Sequence, residues 1–162
     1  MEPAGVTRGL ADDLRFAQRL LSLGGHVRRL DHVLVVYRHH KGQLSHVTPR
    51  KLLVRLRARA LESRVLCHWP RFDVWGAGRD ARAFVASLQP RTRAKISQIV
   101  DVDPLKIGRQ FVSDEMSVPI VHFSSVKPPV VVCVARNRTN GELERNVASQ
   151  GLVEGEDCWS IV

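Results

Sequence analysis

FDVWGAGRDARAFVASL, residues 72–88, decides the fold. Phe72–Trp75 has the apolar and aromatic character of a short strand, Gly76-Ala77-Gly78 is a turn, and Ala81, Phe84, Val85 and Leu88 recur at helical spacing. Gly76 permits the tight turn, Gly78 lets the backbone approach an anion, and Ala81 lets helix and strand pack closely. Working outward, KISQIVDVDP (95–104) reads as a second strand ending in acids. VPIVHF (118–123) and PPVVVCVA (128–135) are two more, the latter continuously apolar as a strand buried on both faces should be. A helix is predicted from Asn140 to about Gln150, stopped by Gly151, and CWSIV (158–162) is a last short strand. Strands alternating with helices predict an α/β parallel sheet.

Gly76, Gly78 and Ala81 form GxGxxA at a strand-to-helix junction, and Asp101 follows 20 residues after Ala81 at the end of the next strand. That is where a Rossmann-like nucleotide site keeps the acid that accepts from ribose hydroxyls, with Asp103 as the alternative, while the helix N-terminus donates to a pyrophosphate. Gly76, Gly78, Ala81 and Asp101 are therefore nucleotide-binding candidates. Turns of this kind also serve close packing alone, and Arg79 and Asp80 read equally as a solvated first helical turn.

Upstream, Thr48-Pro49 is a good N-cap and N1 pair for a long helix to about Cys67. Its apolar stripe is Leu52, Leu53, Leu56, Ala60, Leu61 and Val65, and His68-Trp69-Pro70 ends it. From Arg50 to Arg71 seven basic residues face only Glu62, within a chain of net charge +9. Such a concentration favours polyanionic partners, and Arg50, Lys51, Arg55, Arg57 and Arg59 are nucleic-acid candidates; a solvated helix face is the alternative. An amphipathic helix is predicted over Ala11–Leu23, with Asp12 and Asp13 in its first turn and Gly24-Gly25 as its stop. Two extended runs follow, His26–Leu30 and Val33–Tyr37.

Composition is globular, at 44% apolar and 25% charged. No apolar run approaches the ~20 residues of a membrane helix, and the first ten residues carry no signal-peptide core. Cys67, Cys133 and Cys158 show no CxxC spacing. These features predict a soluble, cytoplasmic protein whose cysteines are small buried hydrophobes. Asp12 and Asp13 are dipole partners at a helix start or, if one reaches a substrate hydroxyl, a general base. His39, His40 and His46 lack the spacing of a zinc site.

The stretch ADDLRFAQRLLSLGGHVRRLDHVLVVYRHHKGQLS (11–45) resembles the end of the catalytic domain of family 2 glycosyltransferases. That family commonly shows an acid pair opening a helix, a glycine-containing turn and then YRxHxGSLS. Asp12-Asp13 and the run Tyr37–Ser45 match those blocks. VWGAGRDAR, DVDPLKIGRQF, VPIVHF and PPVVVCVA are similar to the C-terminal extension of one branch, the beta-1,3-N-acetylglucosaminyltransferase-like proteins, understood as queuosine-tRNA galactosyltransferases. The resemblance implies that Asp13 is the catalytic base deprotonating the acceptor hydroxyl for an inverting displacement. It implies that His40, with Asp12 and Arg38, lies near the donor pyrophosphate or its divalent metal, Mn or Mg. UDP-galactose would be the donor and the queuosine cyclopentenediol of a tRNA the acceptor, with no membrane partner.

The pattern also departs from the family. Its uridine-binding strand and metal-binding DxD precede the acid pair, and only eleven residues precede Asp12 here. Asp101-Val102-Asp103 has the DxD letters but follows the acid pair. The expectation is an α/β chain with the C-terminal remnant of a GT-A catalytic domain (1–47), a basic linking helix (48–70) and a Rossmann-like domain (71–162). Such a chain lacks the donor-binding half and is inactive alone. The alternative is a non-catalytic nucleotide- or RNA-binding module. The sequence assigns no oligomeric state.

Overall fold

A computed structural model of the chain describes residues 11–28, 30–36, 38, 40–43, 47–113 and 116–162. Six strands, β1 (Phe72–Trp75), β2 (Ile96–Asp101), β3 (Gln110–Ser113), β4 (Met116–His122), β5 (Val130–Val132) and β6 (Cys158–Ser160), form one sheet in the order β3-β4-β2-β1-β5-β6. All neighbours are parallel except β3, which runs antiparallel to β4 at one edge. The chain steps outward from β1 through β2 to β4, then returns to add β5 and β6 on the other side. The direction of winding therefore reverses between β1 and β5, and the crevice beyond the carboxyl ends of those two strands is where doubly wound sheets bind ligands.

Strand alternation sorts the core into two faces. Phe72 and Val74 of β1, with Ile99 and Val131, join Val54, Ala58 and Leu61 of α2 (Arg50–Leu61) and Ala81, Phe84 and Val85 of α3 (Arg79–Ser87). Trp75, Val100, Val130 and Val132 turn the other way, against Leu143 and Val147 of α5 (Glu142–Ser149). All four β1 residues and all three β5 residues are buried, which is why their runs carry no polar alternation apart from Asp73. That carboxylate Oδ2 accepts from Gln98 Nε2 (2.8 Å) and the Lys127 N–H (2.8 Å). Burial pushes Asp73 above its ordinary value, and those two donors offset part of the rise.

The expected inward residues of α3, Ala81, Phe84, Val85 and Leu88, are all buried. Elsewhere the expectations need correction. The sheet is mixed, because Gln110–Ser113 adds an antiparallel edge strand with a single buried residue, Phe111. A short helical turn, α4 (Pro90–Arg93), also precedes β2. Thr48 is not the N-cap of α2; Pro49 occupies that position without a side-chain cap. The helix is buried on two sides, at Leu52 and Leu56 and at Val54, Ala58 and Leu61, and the latter three belong to the core. It continues as a wider π-helical turn, Glu62–Leu66.

The largest difference lies before residue 47. Helix α1 (Asp12–Ser22) forms as expected, and Gly24 at φ +81° ends it, but it buries none of its residues. It rests on α2 and the π-helical turn after it, through Gln18 Nε2 donating to the Leu56 carbonyl (3.1 Å) and Arg64 Nη2 donating to the Gln18 carbonyl (3.0 Å). The extended runs 26–30 and 33–37 form no ladder at their described residues, and Val33 and Val36 are 90% and 91% exposed. A strand requires a neighbour to accept its backbone hydrogen bonds, and no described residue supplies one here. Tyr37, at the end of the second run, lies outside the described residues.

Candidate functional site

The glycine turn sits at the reversal point of the sheet. The Gly76 N–H donates to the Val100 carbonyl (2.7 Å), and the Cys133 N–H donates to the Trp75 carbonyl (2.9 Å), so the turn is held between β2 and the continuation of β5. Gly76 has φ +101°, and a Cβ there would meet Val134 Cγ2 at 2.6 Å. The fold itself therefore demands glycine at this position. Gly78 is different: its backbone is extended, at φ −91°, and a Cβ would meet nothing within 4 Å. Nothing in the fold requires glycine at 78, and the space beside it is open to solvent. Ala81 is fully buried where α3 crosses the sheet.

Asp101 does meet the glycine turn, in a way its spacing did not reveal. Its Oδ2 accepts the Ala77 N–H (2.6 Å), and its Oδ1 accepts the Asp103 N–H (2.9 Å). Lys106 Nζ lies 3.4 Å from Asp101 Oδ2 and 3.2 Å from Asp103 Oδ2. The carboxylate thus ties the end of β2 to the turn. Contact with a ribose would add to these bonds through remaining lone pairs or displace one of them.

Around the N-terminus of α3 stand three arginines. Arg50 reaches from α2 to make a two-pronged pair with Asp80, at 2.8 Å and 2.9 Å. The Arg50 hydrogen bond holds the Asp80 carboxyl below its ordinary value, with added attraction from Arg138 and Arg79. Arg79 and Arg138 are exposed, while Asp80 is already compensated by Arg50. Arg138 lies far along the chain, after β5, and no local spacing ties it to the glycine turn.

The enclosed space at the turn, lined by Trp75, Gly76, Asp101, Thr139 and Asn146 among others, measures about 50 Å³. That is far short of the roughly 300–1,000 Å³ of small-molecule pockets. A ligand at this crevice would lie outside, over Gly78 and the helix start, rather than within that space. Cys133, just past β5, is buried and its thiol is pushed well up by that burial; Cys158 is pushed up to about 11. Both are therefore protonated near neutrality and unsuited to act as nucleophiles.

The residues of the acid pair and the histidine motif occupy a separate segment. Asp12, Asp13, Arg38 and His40 are exposed, and no hydrogen bond joins them among the described residues. Residues 40–43 close a tight turn, with the Gln43 N–H donating to the His40 carbonyl (3.2 Å) and the His40 N–H to Gln43 Oε1 (3.2 Å). His39, Ser45 and His46 lie outside the described residues. Among the described residues no group of three His, Cys, Asp or Glu side chains is placed to hold a metal ion.

The five basic candidates of α2 divide. Arg50 is held by Asp80 and Arg57 Nη1 donates to the Ile161 carbonyl (3.0 Å). Lys51, Arg55 and Arg59 fall at i, i+4 and i+8 on another face, with Lys51 and Arg59 exposed and Arg55 half-buried. A cavity of about 810 Å³ opens beside Arg59, between the end of α2 and α4, and Arg91 and Lys95 also line it. These two lie beyond the basic run 50–71, and RTRAK (91–95) is their signal in the sequence. No helix among the described residues is long and apolar enough to cross a membrane. No known protein-family model matches the chain.

Proposed function

We propose that the sheet of this chain is a nucleotide-phosphate-binding module serving a sugar transfer, from a UDP-sugar, foremost UDP-galactose, to queuosine in tRNA. The observation that carries the module is the contrast within one turn. Gly76 is glycine because φ and Val134 require it, whereas Gly78 has ordinary backbone geometry and open space beside it. Open space at the second glycine, at the mouth of the reversal point and beside the exposed Arg79 and Arg138, is what a backbone approached by phosphate needs. Sugar transfer itself is supported by the resemblance of residues 11–45, with Asp13 as the base that removes the acceptor's proton. Asp13 is exposed at the start of α1, which leaves its carboxylate accessible to an acceptor.

Thermal melts with UDP-galactose, UDP and a dinucleotide test the module. The melting temperature of the chain rises with at least one of them, and Gly78→Asp, which sets a carboxylate into the open space, abolishes the rise without lowering the unliganded melt. No rise with any nucleotide would remove the module. Galactosyl transfer to queuosine-containing tRNA tests the rest: Asp13→Asn abolishes it in any preparation of this protein that performs it. Transfer that survives Asp13→Asn would remove Asp13 as the base.

A further inference from the structure

The larger concavity lies at the opposite end of the sheet from the glycine turn, beside the first residues of β2. Its wall carries Arg59, Arg91 and Lys95, and Arg59 is also the last of the Lys51-Arg55-Arg59 row. Successive members of that row rise by about 6 Å along α2, so its exposed ends, Lys51 and Arg59, stand about 12 Å apart along one helix face. Lys51, Arg59 and Arg91 are exposed and make no hydrogen bond or ion pair among the described residues. Lys95 Nζ donates to the Leu66 (3.0 Å) and Cys67 (3.2 Å) carbonyls, which leaves a third N–H. The carboxylate in the wall, Glu62, is turned to the Gln89 N–H (2.9 Å).

We propose that Lys51 and Arg59, continued by Arg91 and Lys95 across the cavity, form a track for the phosphodiester backbone of an RNA strand. The proposal deepens the RNA side of the reading above and rests on it only for which RNA is bound. Charges strung out along a helix and onward across a cavity match a linear polyanion; a single phosphate group calls for cations converging on one point. A lipid surface would need apolar side chains beside the cations. None of the exposed large apolar residues among those described falls between 48 and 101. The cavity gives a flanking nucleotide room that a flat helix face would not.

The test uses the full chain without donor and a labelled tRNA transcript lacking queuosine, followed by fluorescence anisotropy. Binding weakens steeply between about 50 and 200 mM salt, as phosphate contacts dictate. The variant Lys51→Ala/Arg59→Ala/Arg91→Ala, with an unchanged melting temperature, binds at least about tenfold more weakly, and its log–log salt slope is smaller by about 2–3. Lys51→Glu alone, on the exposed face, gives a smaller loss in the same direction. Gly78→Asp leaves RNA affinity unchanged, so failure of the nucleotide module and failure of this track are separate outcomes. Equal affinity and slope in the triple variant would overturn the proposal, as would absence of RNA binding by the unaltered chain. Binding of phosphatidylserine vesicles through these residues without RNA binding would overturn it in favour of a membrane.

Discussion

Two valine-rich runs of nearly the same character meet opposite fates. Val33-Leu34-Val35-Val36 is left in solvent, 69–91% exposed, while Val130-Val131-Val132 is the fully buried β5. The difference is what each finds alongside. β5 lies between β1 and β6, with α5 over one face, whereas the described part of 26–36 has no strand beside it. An apolar run is thus a requirement for a partner surface, and becomes an element only where the chain provides one. The same contrast separates α1, which buries none of its residues, from α3, whose apolar stripe is wholly enclosed.

The sharpest way to break this comparison is to make one substitution in both regions. Phe84 is fully buried and Phe16 is 70% exposed. Phe84→Ala lowers unfolding stability by about 3–5 kcal/mol, whereas Phe16→Ala stays within about 0.5 kcal/mol, both measured by denaturant titration. Equal losses would mean that the segment before residue 47 is buried in solution. The two glycines give the next largest contrast. Gly76→Ala combines a left-handed backbone with the 2.6 Å approach to Val134 and costs about 1–3 kcal/mol. Gly78→Ala, with neither, changes stability by less than about 0.5 kcal/mol.

The smallest effect concerns Arg50 and Asp80, which join α2 to α3. Because the Asp80 carboxyl is lowered from 3.8 in the folded state, the pair's contribution is present above that unfolded value. It is lost as pH falls through the lower folded value. The Arg50 side chain is 45% exposed, so the contribution is modest, about 0.5 kcal/mol. Melts of the unaltered chain and Asp80→Asn differ near neutrality and converge in acid; a difference that persists unchanged in acid would assign the effect to packing instead of charge.

Much of the sheet was legible because buried parallel strands leave continuous apolar runs, as in Phe72–Trp75 and Val130–Val132. β3 was missed because an edge strand with one buried residue, Phe111, leaves almost no pattern. The runs 26–30 and 33–37 carry a strand-like pattern because a local pattern records the demand for burial and not whether a neighbour meets it. In the candidate site, the glycines and Asp101 were found by spacing, but what Asp101 does was not. Its bond to the Ala77 N–H spans 24 residues, and the Arg50–Asp80 pair spans 30. Contacts of that range depend on how helices and strands are stacked, which local sequence does not encode. The two-sided burial of α2 is hidden for the same reason: Arg55, Arg57 and Arg59 alternate with the buried Val54, Leu56 and Ala58.

The central claim, that the open space at Gly78 receives a nucleotide's phosphate, is tested most directly by amide chemical shifts on titration with UDP-galactose. Saturable shifts are expected in residues 76–82 and in the loop after β5 around 134–139, and are absent in Gly78→Asp. Shifts confined to other surfaces, or none at saturating nucleotide, would contradict it and leave the turn as a packing device.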